Sequence, residues 1–152
     1  MVYLSQLFQR ALAEQRAGRP ISTEAVLAAG QAATFLYPVI FGQGSIVASI
    51  LSRITSRHCS TLQTMLTDPG TPAEARGSLR ALLAWEAGVR YRAAGEDRHS
   101  AIHCALWIHR VLDFIQCYLT IMCSAEGIPP SVCARAAYDA KLAPYHGASL
   151  SR

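Results

Sequence analysis

Apolar and polar residues recur with a helical period along most of this chain, and turn-forming residues cut the pattern into segments. An amphipathic run from Leu4 to Arg16 predicts a first helix, ended by Gly18-Arg19-Pro20. Ser22 or Thr23 is the expected N-cap of a second helix, which runs toward Tyr37 and stops near Pro38. A third is expected from Ser45 to Leu66, where Val47, Ile50, Leu51, Ile54, Leu62, Met65 and Leu66 fall mostly three or four apart. Asp68-Pro69-Gly70 reads as a turn. Thr71-Pro72-Ala73-Glu74 then supplies a cap, a proline at the first helical position and a first-turn acid. That fourth helix carries Leu79, Leu82, Leu83, Trp85 and Val89 and ends by Ala94-Gly95.

The longest regular pattern runs from Ser100 to Ser124. Cys104, Ile108, Val111, Ile115, Tyr118 and Met122 form one stripe, widened by Leu112 and Leu119, and only His109, Asp113, Gln116 and Thr120 make a solvated strip. A helix apolar over most of its surface belongs at the centre of a domain. Gly127-Ile128-Pro129-Pro130 breaks it, and Ser131 is the expected cap of a last helix reaching about Leu142. No segment alternates with the two-residue period of a strand, and no internal repeat occurs. The expected architecture is all-α, one domain over residues 1–152.

Composition changes this picture in three ways. Apolar residues make up 51% of the chain and charged residues only 16%, so apolar surface is left over for a cavity, a partner or lipid. The stretch from Ala25 to Ser52 has no charged residue and is long enough to span a bilayer. Pro38, Gly42 and Gly44 interrupt it, so two soluble helices are preferred over a small membrane protein with one span there. The net charge is +4 with a single lysine, Lys141, and an arginine-based positive charge suits phosphate, sulfate or an anionic membrane. Nucleic acid is not expected as a partner, for there is no Lys/Arg-rich run and no zinc-finger or aromatic RNA-binding motif. The five cysteines lack a C-x-x-C pair and mostly fall at apolar helical positions, which fits buried thiols in a reducing, cytoplasmic setting.

Two constellations could carry function. His103, Trp107, Arg110 and Phe114 share one face of the central helix, so Trp107 could be a flat platform with polar edges for a sugar ring or an amide. Periodicity alone is met more simply by a core Trp107 and a structural ion pair at Arg110. On the third helix, Ser49, Arg53, Ser56, Arg57 and Ser60 form a polar stripe. Arg53 and Arg57 stand four apart, and an anion could bridge them; taken alone, the stripe is met more simply by an ordinary solvated face. His99 and His103 have zinc-compatible spacing, but Ser100 stands where a metalloprotease helix has Glu and no third ligand is evident. No metal, cofactor or catalytic residue is expected, because no nucleophile–base arrangement or phosphate loop is present.

Two segments, Ala105-Leu106-Trp107-Ile108-His109-Arg110 continuing through Leu112, Phe114 and Ile115, and Leu142-Ala143-Pro144-Tyr145-His146-Gly147, occur in this order. Together they resemble the glycolipid transfer protein family. The resemblance implies a two-layer helical sandwich that carries one sphingolipid between membranes through transient peripheral contact, with no chemical step. It places Trp107 on the family's stacking Trp, His103 where phosphate-binding relatives have an Arg, and His146 on the His that contacts the lipid amide. The family's Asp, Asn and Lys on an earlier helix would fall on Ser49, Arg53 and Ser56. No Asp precedes Asp68, which shifts the expectation toward an anionic headgroup or toward a diverged interaction or lipid-sensing module on the same fold. Arg53 or Arg57 would replace the basic contact. Phe35, Leu36, Ile50, Ile54, Phe114 and Tyr118 are expected to line the acyl-chain pocket. The family continues past the second motif with further helices, so the domain is expected to be incomplete at its C-terminal end, where a homodimer would cover the exposed apolar face.

Overall fold

The computed structural model describes residues 13, 16–18, 20–89, 100–124 and 126–145. The expected first helix, apart from Ala13 and Arg16, and the expected end of the fourth near Ala94-Gly95 lie outside them. Helices α1 (Thr23–Phe41), α2 (Ile46–Thr67), α3 (Ala73–Arg76), α4 (Leu79–Val89), α5 (Ala101–Ser124) and α6 (Pro130–Lys141) follow in order, then a 3-10 turn at Ala143–Tyr145. The described residues contain no strand, and the all-α expectation holds.

The hairpin of α1 and α2 forms one layer, and α5, flanked by α4 and α6, forms the other. Two apolar clusters fix this arrangement. Leu27 of α1, Cys59, Leu62 and Met65 of α2, and Leu82 of α4 pack against Ala101, Cys104 and Ile108 at the start of α5. Ala33, Tyr37 and Ile40 of α1, Leu51 of α2, and Cys133 and Ala137 of α6 pack against Val111, Phe114, Ile115 and Tyr118. The stripe expected on α5 is therefore the core seam, running parallel to α1 and antiparallel to α2. Its N-terminus is capped twice, by the Ser100 Oγ that accepts from His103 N at 2.9 Å and by Glu86 of α4. The Glu86 carboxylate, 2% exposed, accepts from Ala101 N at 2.8 Å and Ile102 N at 2.9 Å. A carboxylate survives burial there because the helix N-terminus offers two unpaired N–H groups and a positive dipole end.

Three boundaries differ from expectation. Helix α1 passes through Pro38 and ends at Phe41. Proline cannot donate to the Thr34 carbonyl, but Ser52 Oγ of α2 donates to it at 3.3 Å, so the neighbouring helix supplies the partner that proline removes. The chain turns instead at Gly42 and Gly44, whose φ angles of 90° and 79° suit glycine. The fourth helix is two pieces, because Ser78 Oγ accepts from Ala81 N at 3.2 Å and starts α4 afresh. Ser131 lies inside α6 and does not cap it; Pro129 precedes the helix and Pro130 opens it, where a missing N–H has no consequence. Helix α1 has the length and composition of a membrane span, with 19 residues and a mean hydropathy of 1.3. Here it is a core helix whose Leu27, Ala33, Tyr37 and Ile40 are buried against α2, α5 and α6.

Candidate functional site

Trp107, His103 and Arg110 share a half-buried face of α5. The groups that meet them come from either side in sequence. His58 of α2 lies parallel to Trp107, with 5.9 Å between ring centroids and 8° between planes. It is tilted against His103 at 5.4 Å. The Arg110 guanidinium carbon sits 5.6 Å from the Trp107 ring centre and 3.6 Å from that of Tyr145. Cation–π contacts of this kind contribute about 0.5–1 kcal/mol each where water has access. The second motif thus reaches the first, since α6 returns along α5 and delivers Tyr145 to Arg110. Lys141 helps hold that return through an ion pair to Asp113 at 3.0 Å.

His58 was not legible as a site residue. It occupies the buried stripe of α2 with Leu51, Thr55, Leu62 and Met65, where a polar residue is the available signal. Only 8% of it is exposed. Burial, with help from His103 and Arg57, pushes its pKa down to about 4, so the imidazole is neutral at neutral pH. The thiols of Cys59 and Cys104 are pushed up to about 11 by burial and stay protonated. Cys133 is also buried, whereas Cys117 is half-buried and Cys123 exposed.

The other expected site residues divide. Arg57 is exposed beside His58, and Arg53 and Ser49 are exposed further toward the start of α2. Ser49 is nine residues before His58, about 14 Å along the helix axis, and its hydroxyl bonds back to the Ser45 carbonyl at 3.1 Å. It is His58 that faces the indole, with Ser49 and Arg53 further toward the start of α2. Phe114, though on the same face, is fully buried in the core, where it stacks on Phe41 at 5.7 Å. His146 and His99 lie outside the described residues.

The six side chains expected to line the chain-binding pocket differ in burial. Phe114 and Tyr118 are core, Ile50 and Ile54 are half-buried, and Leu36 and Phe35 are exposed. Phe35 lies two residues, or 200°, from the buried position Ala33, which turns it to the outside. Phe35, Val39 and Ile46 are 74%, 72% and 76% exposed and cap the tip of the α1–α2 hairpin with apolar surface. The strip expected to be solvated on α5, with Leu112, Leu119 and Cys123, lines an open groove of about 690 Å³.

Among the described residues no group of three or more His, Cys, Asp or Glu side chains could hold a metal ion. An aromatic face edged by arginine and imidazole can stack a ring and pair with polar groups. The fold and site define an all-helical binding domain. The sequence profile of the glycolipid transfer protein (GLTP) family matches residues 21–152, and the chain belongs to that family. This is a lipid-transfer family and not an enzyme family, so membership indicates glycolipid binding and transfer. No match was found among curated proteins or among solved structures.

Proposed function

We propose that this protein binds one sphingolipid, with its headgroup on the Trp107 face, and carries it between membranes without altering it. The observation that supports this most is the approach of His58 of α2 to Trp107, with Arg110 of Trp107's own helix over the indole and Tyr145 against Arg110. Trp107 packs against the core cluster yet stays half-buried, with hydrogen-bonding and cationic groups at its edge. The headgroup is a sugar, stacked on the indole, or an anionic group reached by Arg57 and Arg110. Membrane contact is transient and peripheral, through the apolar hairpin tip at Phe35, Val39 and Ile46.

Native mass spectrometry of the purified protein tests the reading, together with transfer of fluorescent glucosylceramide between phosphatidylcholine vesicles. A stoichiometric sphingolipid is expected, with transfer lost in Trp107→Ala while helicity is unchanged. Equal transfer by Trp107→Ala removes the platform assignment. A folded, empty protein that takes up no sphingolipid rejects lipid carriage in favour of an interaction module. The same spectrum reads the oligomeric state, where a second copy over the groove on α5 appears as a dimer.

A further inference from the structure

Among the described residues, Thr23 Oγ1 and His58 Nδ1 are buried polar side-chain atoms with no hydrogen-bond partner. Thr23 stands at the start of α1, whereas His58 stands beside the platform. A buried nitrogen left unpaired is disfavoured, and it persists where something other than stability retains it. The groups around it explain what is missing. Trp107 and Arg57 beside it carry hydrogen-bond donors and no acceptor, and the His103 ring, 5.4 Å away between centroids, leaves Nδ1 without a bond. No Asp or Glu lies on α2, and Asp113 of α5 is paired with Lys141. A sugar hydroxyl or an amide N–H needs an acceptor, and a neutral imidazole provides one that an arginine cannot. The 5.9 Å separation of near-parallel rings is too long for direct overlap, so the imidazole lies beside the indole rather than over it.

We propose that His58 is the polar contact of the lipid-binding site, with Nδ1 pairing with a hydroxyl or amide N–H of the ligand resting on Trp107. This rests on the lipid-carrier reading above. A hydroxyl suits the neutral ring in either tautomer, since it both donates and accepts.

Three substitutions separate this from a packing role. His58→Phe keeps a flat ring against Trp107 and removes both nitrogens. His58→Asn places an amide atom where Nδ1 stood, and His58→Gln places one nearer Nε2. The probe is uptake of fluorescent glucosylceramide from phosphatidylcholine vesicles, with thermal unfolding of each variant measured in parallel. His58→Phe is expected to unfold at or above the wild-type temperature yet bind about ten- to a hundredfold more weakly. His58→Asn is expected to recover most of that loss, and His58→Gln little of it. Wild-type affinity in His58→Phe, or equal losses in the Phe and Asn variants, overturns the assignment while leaving lipid carriage intact. Failure of the wild-type protein to take up lipid, by contrast, overturns both.

Discussion

Gly30 is the point where α1 comes closest to its neighbours, and replacing it with alanine measures how tightly this half of the core is packed. A Cβ built there would lie 2.7 Å from Cys59 Sγ and 3.3 Å from Ile108 Cγ2. Unstrained carbon contacts sit near 3.5–4.0 Å, so α2 or the thiol must move by about 1 Å. Alanine gains about 0.8–1.0 kcal/mol over glycine inside a helix, against about 1–3 kcal/mol for overpacking a core. The expected net result is a loss of roughly 1 kcal/mol. Gly77→Ala is the control, because Gly77 has helical angles of −69° and −27° and nothing within 4 Å of the added carbon. It should stabilise by about 0.4–1 kcal/mol. Urea unfolding followed by far-UV circular dichroism reads both, and the two variants should move the midpoint in opposite directions. Cys59→Ala removes the nearest obstacle, so in the double variant with Gly30→Ala about 1 kcal/mol of the loss should be recovered. Stabilisation by Gly30→Ala equal to that by Gly77→Ala would refute the close approach of α1, α2 and α5 described above.

Other perturbations probe the caps and the titrating groups. Glu86→Ala removes two charge-assisted bonds to the first turn of α5 and should cost about 2–4 kcal/mol, with Glu86→Gln milder; an unchanged unfolding midpoint would show that the cap is unimportant. His58 has a folded-state pKa near 4 against 6.5 unfolded, so the unfolded chain takes up the proton first as pH falls. Its neutral form contributes full stability above pH 6.5, and that is lost progressively toward pH 4, by up to roughly 3 kcal/mol. The charged and titratable groups that act on it are Arg57 on its own helix and His103 on α5. The His58→Phe variant should show a flatter stability profile than wild type between pH 6.5 and 4.5, and coincident profiles would contradict the burial of this ring.

Much of the fold is legible because α5 is apolar over most of its circumference, and such a helix has only one place to go. The stripe Cys104, Ile108, Val111, Ile115 and Tyr118 predicts the seam around which both clusters form. Ser22 was readable as a cap because its hydroxyl bonds within its own turn. What was not legible depends on partners distant in sequence. Pro38 reads as a stop until Ser52 of α2 is found donating to the Thr34 carbonyl, eighteen residues from it in sequence, in place of the missing proline N–H. Glu86 reads as an ordinary surface acid until α5 docks its N-terminus on it. The site divides in the same way. Trp107 and Arg110 were visible from the spacing on one helix, but the register of α2 against α5 is set by Cys59, Leu62 and Met65, and that register selects His58 over Ser49.

The two sequence motifs have a physical reason to occur together. Trp107 and Arg110 sit on α5, and Tyr145 reaches them only if α6 packs back along α5 with its last turn beside Asp113. Cys133, Ala134 and Ala137 drive that packing from within the core, and Lys141 completes it at the surface, where an exposed ion pair contributes about 0–1 kcal/mol. The apolar face of α6 thus carries the energy, and the charged pair contributes mainly alignment. Arg110 then lies between two aromatic rings, which fixes a side chain that would otherwise sample many rotamers. A guanidinium ordered before the ligand arrives loses less entropy on binding, so the C-terminal motif affects affinity through the α5 platform as well as through any contact of its own.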